Sequence, residues 1–99
     1  MTRPGTLSFG TFIVVIVSDT PETIRLASEG KVGETNVEGR TISIRSDIDD
    51  EQWFEVLLHE AMHVAWHMTA LPSILEEHEE TVVRSLAPWL AQVVRFMGF

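Results

Sequence analysis

The 99-residue sequence contains no cysteine. It can form no disulfide and offers no thiolate to a metal, and a reducing cytosol is compatible with such a chain. Basic residues are few: 7 Lys and Arg stand against 15 Asp and Glu, for a net charge of −8. Nucleic acid is recognised through a positive surface that neutralises phosphates, and an anionic membrane surface asks for the same, so neither partner is expected. Long hydrophobic runs are missing too. Phe12 to Val17 is apolar but short, whereas a bilayer-spanning helix takes about 20 residues. Only Arg3 precedes it as a charged n-region, it is β-branched, and no small-residue cleavage site follows before Asp19. It reads as a buried strand rather than a signal-peptide core. There is no internal repeat, linker or low-complexity tract. The length suits one small domain with a limited core, to which a bound metal would add folding stability.

The pattern that is present predicts an α+β domain. Residues 1–8, with Pro4 and Gly5, read as a loose terminus. A strand is expected from Phe9 or Thr11 to Ser18. Asp19 then caps a short helix with Pro21 in its first turn, running to about Ser28 and stopping at Gly30. Val32–Val37 and Arg40–Arg45 read as two strands around Glu38 and Gly39. In the second, Ile42 and Ile44 face one side and Thr41, Ser43 and Arg45 the other. Asp49 and Gln52 form a capping-box pair ahead of a helix expected from Asp50 to Met68. Ser73 and Glu76 repeat the signal before a third helix, whose apolar stripe runs from Val82 to Met97 and contains Pro88. The expected architecture is a small three-stranded sheet, a short N-terminal helix, a central helix and a C-terminal helix packed antiparallel to it.

The central helix carries the chemistry. His59-Glu60-Ala61-Met62-His63 is an H-E-x-x-H motif. Positions i and i+4 share a helix face, so the two imidazoles can converge on one zinc ion, and the Glu between them sits where it can act as general base on a metal-activated water. A solvated, idle His pair is the plainer reading of the same residues. The apolar flanks argue against it, because Val56, Leu57 and Leu58 precede the motif and Val64, Ala65 and Trp66 follow it. Two His and a Glu buried there without a partner would cost several kcal/mol as an order of magnitude.

A catalytic zinc takes a third protein ligand and keeps one position open. His67 lies on the same face, but over eight residues a straight helix rises about 12 Å. No Gly between His63 and Gly98 bends the chain, so His67 is rejected and read as a residue near a helix C-terminus. The other candidates are Glu76, Glu77, His78, Glu79 and Glu80, at the start of the third helix. Most of that run is a solvated acidic N-terminus that suits the helix dipole. Helical periodicity places Glu79 near the middle of the apolar stripe and Glu76 to one side, and so prefers one of these two.

The segment Glu80-x-x-Val83-x-x-Leu86-Ala87-x-x-Leu90 resembles the corresponding helix of ImmA/IrrE-type zinc peptidases. The wider order, with Val56-Leu57-Leu58-His59-Glu60-Ala61-Met62-His63 and then Val82 to Pro88, resembles small phage-encoded metallopeptidases of the gluzincin group. The similarity extends from roughly Gly33 to Arg95. It implies a minimal zincin-like fold, one zinc per chain held by His59, His63 and Glu80, and peptide-bond hydrolysis with Glu60 as general base. It also implies a cytoplasmic protein in a bacterial host. His78 resembles the third-His spacing of SprT-type proteases and is a further alternative. The resemblance implies that Arg40–Arg45 offers an exposed edge to an extended peptide. Peptidases of this group often stabilise the oxyanion with a Tyr or an extra His; this chain has no Tyr, leaving His67, His78, the zinc itself or a residue of another subunit. The cleft of so short a chain must be shallow or completed by a partner, so a homodimer is considered, with Trp53, Trp66 and Trp89 as core or dimer contacts. Two other readings compete: a non-catalytic, zinc-stabilised module that binds a peptide or protein, and a helical interaction module with no metal.

Overall fold

β-branched alternation in the first half of the chain and helical periodicity in the second divide it between sheet and helix. A computed structural model describes residues 2–9, 12–68 and 78–96. They form an α+β domain with β1 (Thr6–Phe9), β2 (Phe12–Val17), α1 (Thr20–Ser28), β3 (Gly33–Asn36), β4 (Thr41–Ile44), α2 (Asp50–Met68) and α3 (Glu79–Phe96). The sheet order is β1-β2-β4-β3. β1 and β2 are antiparallel, β2 and β4 parallel, and β3 and β4 antiparallel.

Two expectations are corrected. The sheet has four strands rather than three, because Thr6–Phe9, read as part of a loose terminus, pairs with Phe12–Val15. Its flanking Pro4 and Gly5 suggested a loop, but β2 has an open edge, and the Ile16 N–H donates to the Gly5 carbonyl at 2.9 Å. Arg3 anchors the same segment, donating to Asp50 at 2.9 Å and to the carbonyls of Ser46 and Ile48 at 3.1 and 2.7 Å. The second correction concerns Arg40–Arg45. Its strand, β4, is paired on both sides, with β2 and with β3, so it has no exposed edge. On that side of the sheet the outer strand is β3. In the β3–β4 turn the residue in the left-handed region is Arg40, with φ 54°, rather than Gly39, and its guanidinium lies 4.6 Å from the Phe12 ring centroid.

The helix starts follow their caps. Asp19 accepts from the Glu22 N–H at 2.9 Å and Asp49 from the Gln52 N–H at 2.7 Å, so each satisfies a donor that the first helical turn leaves unpaired. Gly30, with φ 69°, follows α1 in the left-handed conformation that glycine adopts without Cβ strain. The core lies between the sheet and α2. Val14, Ile16, Ile42 and Ile44 meet Trp53, Phe54, Leu57 and Val64 there. The Trp53 indole N–H is satisfied by Ser18 Oγ at 3.0 Å. α3 packs on α2 and buries Val83 and Ala87. Glu79 and Glu80, at the start of α3, meet His59, His63 and His67 in the C-terminal half of α2. α3 continues as a helix through Pro88. Ser73, Glu76 and the connection between α2 and α3 lie outside the described residues. Among the described residues no helix is long and apolar enough to cross a membrane.

Candidate metal centre

A full turn of α2 separates His59 from His63, which puts their rings side by side at 5.1 Å between centroids. They point toward α3. Glu60, about 100° further round the helix, points toward β3 and is only 8% exposed. Thr35 on β3 meets it: Thr35 Oγ1 donates to Glu60 Oε1 at 2.7 Å and lies 3.2 Å from the Glu60 backbone carbonyl. A carboxylate buried this deeply needs such a donor. Gly33, two residues earlier on β3, allows the close approach. A Cβ there would come within 2.6 Å of Val56 Cγ1 and 3.3 Å of Glu60 Cγ.

The first turn of α3 supplies two carboxylates that divide the ring nitrogens between them. Glu80 Oε1 lies 3.2 Å from His59 Nε2, and Glu80 Oε2 lies 3.0 Å from His63 Nε2. Glu79 takes the opposite side of the second imidazole, with Oε2 3.0 Å from His63 Nδ1, and its other oxygen is 3.3 Å from His67 Nε2. Periodicity prefers Glu79 or Glu76, with Glu79 near the middle of the apolar stripe. That inward position aims it at Nδ1, whereas the more exposed Glu80 reaches the two Nε2 atoms. A carboxylate on Nδ1 fixes the tautomer that leaves the Nε2 lone pair free for a cation.

His59, His63 and Glu80 each offer one ligand atom, and the three lie within 4.8 Å of one another. Two tetrahedral ligand atoms on zinc are separated by about 3.3 Å, given metal–ligand bonds of about 2.0–2.1 Å. Each His–Glu80 pair has an N···O contact near that spacing, one through each carboxylate oxygen. Two neutral imidazoles and one carboxylate are a donor set that zinc accepts, so these residues fit the ion. His67 is half exposed and joins Glu79 instead of the triad, and exposed His78 also stands apart from it. Glu76 and Glu77 lie outside the described residues.

The site opens into a cleft with two arms, of about 400 and 530 Å³. They meet at His59, Glu60 and Glu80, and both are also bordered by Lys31, Gly33 and Arg84. β3 forms one wall, α3 the other, and α2 the floor. The β3 wall is braced by an ion cluster. Arg25 of α1 pairs with Glu22 and Glu29, at 2.8 and 2.9 Å, and with Glu34 of β3 at 2.5 Å. Lys31 pairs with Glu29 and Glu34 at 3.3 and 3.2 Å. Hydrogen bonds from Arg25 and then Ser43 pull the Glu22 carboxyl down from 4.5 to about 2. Those from Arg25 and then Lys31 lower that of Glu34.

Thr35, Gly33 and Arg84 carry no motif that marks them in the sequence. A Gly opening a four-residue strand is the one available hint, since a strand glycine often marks a close backbone approach. No protein-family model, curated protein or solved structure matches this chain.

Proposed function

We propose that the protein is a zinc-dependent metallopeptidase with a minimal zincin-like fold. The observation that carries this reading is the convergence of the Glu80 carboxylate on Nε2 of both His59 and His63, with the buried Glu60 carboxylate bordering the same open cleft. His59, His63 and Glu80 would hold the ion. When bound, zinc supplies Lewis acidity, which acidifies a water and polarises a carbonyl. Glu60 is the general base. Thr35 holds its Oε1, so Oε2 is the oxygen that takes the proton and then passes it to the leaving amine. The substrate is an extended peptide or protein segment laid along the outer edge of β3, where strand addition supplies backbone hydrogen bonds. Gly33 and Thr35 place that edge directly beside Glu60.

A second reading has an observation in its favour. The same triad joins α2 to α3, so zinc could act as a staple that stabilises the helix pair around a non-catalytic peptide-binding cleft. Glu60→Gln separates the two, because it keeps the three ligands and removes the base. It is expected to bind zinc like the wild type and to abolish cleavage of an unstructured protein, followed by mass spectrometry. If the zinc-loaded wild type and Glu60→Gln are equally inert across a broad peptide library, the peptidase reading is wrong.

A further inference from the structure

We propose that Arg84 supplies the positive charge that stabilises the oxyanion, a role for which this chain has no Tyr. This inference rests on the peptidase reading. Arg84 lies one helical turn beyond Glu80 on α3, and its Nε is 3.2 Å from Glu80 Oε1. The same carboxylate oxygen is 3.2 Å from His59 Nε2. The guanidinium therefore stands next to the place where an ion held by the triad would sit. Arg84 also borders both arms of the cleft, so it faces the point where a peptide lying across the site would present its scissile carbonyl. Its side chain is 75% exposed. Among the described residues it pairs with Glu80, and a single Nε contact leaves four N–H groups for substrate.

The other basic side chains of the cleft are committed elsewhere. Lys31, on the opposite wall, is paired with Glu29 and Glu34. His67 is held by Glu79, beyond His63 and away from His59. A guanidinium suits the role because it stays protonated at any working pH and presents a planar fork of donors to a charged oxygen.

The water oxygen bonds to the carbonyl carbon and its proton goes to Glu60. The carbonyl π electrons move onto oxygen, and Arg84 N–H groups donate to that anion. The C–N bond then breaks as Glu60 returns the proton to the amine nitrogen, leaving a carboxylic acid and an amine. Because charge builds on oxygen only in the transition state, Arg84 should lower the barrier more than it improves substrate binding.

Arg84→Met and Arg84→Lys test this in the full-length, zinc-loaded protein. Arg84→Met is expected to keep its zinc, to lose about 10²-fold in kcat, the low end for one oxyanion donor because solvent screens this guanidinium, and to change KM by no more than about threefold. Affinity for a phosphonamidate peptide, whose tetrahedral anion mimics the transition state, should fall in parallel, while affinity for the peptide product should not. Arg84→Lys should recover part of both losses. An unchanged kcat in Arg84→Met, or a loss that excess zinc restores, overturns the role of Arg84 and leaves the peptidase reading standing. A zinc-loaded wild type that cleaves nothing overturns both.

Discussion

Glu79 and Glu80 are adjacent in sequence and both contact His63, yet their geometry assigns them different work, and zinc affinity can tell them apart. In the proposed centre Glu80, which meets two Nε2 atoms, would be the ligand; Glu79, which meets Nδ1 of His63 at 3.0 Å, would orient it. The Glu79–His63 pair is partly buried, with side chains 22% and 14% exposed. A hydrogen bond to a charged group is worth about 1.5–3 kcal/mol net, and partial exposure places this one toward the lower half of that range. At about 1.4 kcal/mol per tenfold, Glu79→Ala should weaken zinc binding by roughly 10- to 30-fold, within the 10–100-fold range typical of partners that orient a ligating His. Glu79→Gln should cost less, since its amide oxygen still accepts from Nδ1–H and only the charge is lost. His67→Ala should change affinity by less than about threefold, because its contact with Glu79 is long and half exposed. Glu80→Ala removes a ligand outright and should exceed all three. Competition against a chromophoric chelator at fixed pH and salt measures each dissociation constant. If Glu79→Ala binds zinc as weakly as Glu80→Ala, or weaker, Glu79 is the ligand and the division of ring nitrogens argued above is wrong. If Glu79→Ala binds as tightly as the wild type, the contact does not orient His63.

Two further predictions concern elements around the candidate site. Thr35→Val keeps the shape of the side chain and removes the hydroxyl that holds Glu60 Oε1 at 2.7 Å; kcat on a quenched-fluorescence peptide should fall about tenfold through loss of alignment, with zinc content unchanged and Thr35→Ser near wild type. The Arg25 cluster predicts acid sensitivity. Arg25 holds the Glu22 carboxyl at about 2 against an ordinary 4.5, so its contribution to stability is fully present above about pH 4.5 and is lost as pH falls toward 2, because the unfolded chain takes up the proton first. Glu22→Gln should be less stable than wild type at pH 6, and the gap should narrow at pH 3 in thermal denaturation. A gap that does not change with pH would falsify the linkage.

The helical parts of the site were largely legible. The capping pair Asp49 and Gln52 and the apolar periodicity marked α2 from Asp50 to Met68, the span observed, because caps and amphipathic stripes are local signals. The same spacing put His59 and His63 on one face. Glu80 was reached through resemblance, while periodicity preferred Glu79 or Glu76. A projection about the helix axis says which residue faces inward. It does not say whether that residue meets Nδ1 or Nε2 of an imidazole on the next helix.

The sheet was less legible. Thr6–Phe9 alternates but is only four residues long, and its flanking Pro4 and Gly5 outweighed so short a pattern. The resemblance makes an edge of the clearest alternating strand, Arg40–Arg45, yet β4 lies between β2 and β3. Alternation reports that a strand has one covered face; it carries no information on whether its hydrogen-bonding edges are occupied. Edge status, and with it the placement of Thr35 and Gly33 against Glu60, depends on strand order.

By itself, the sequence determined the composition of the candidate site and its local geometry: two imidazoles one helical turn apart, a carboxylate turned away from them, an acidic helix start to follow, and no thiol or phenol to assist. Helical periodicity is a property of consecutive residues and needs no tertiary information. The tertiary structure alone decided which acid faces Nε2, which strand borders the cleft, that Thr35 holds Glu60, and that Arg84 faces the cleft. Each of these is a contact between elements distant in sequence or between adjacent helix faces. Such contacts are set by the packing of α2 on the sheet and of α3 on α2, which no window of consecutive residues encodes.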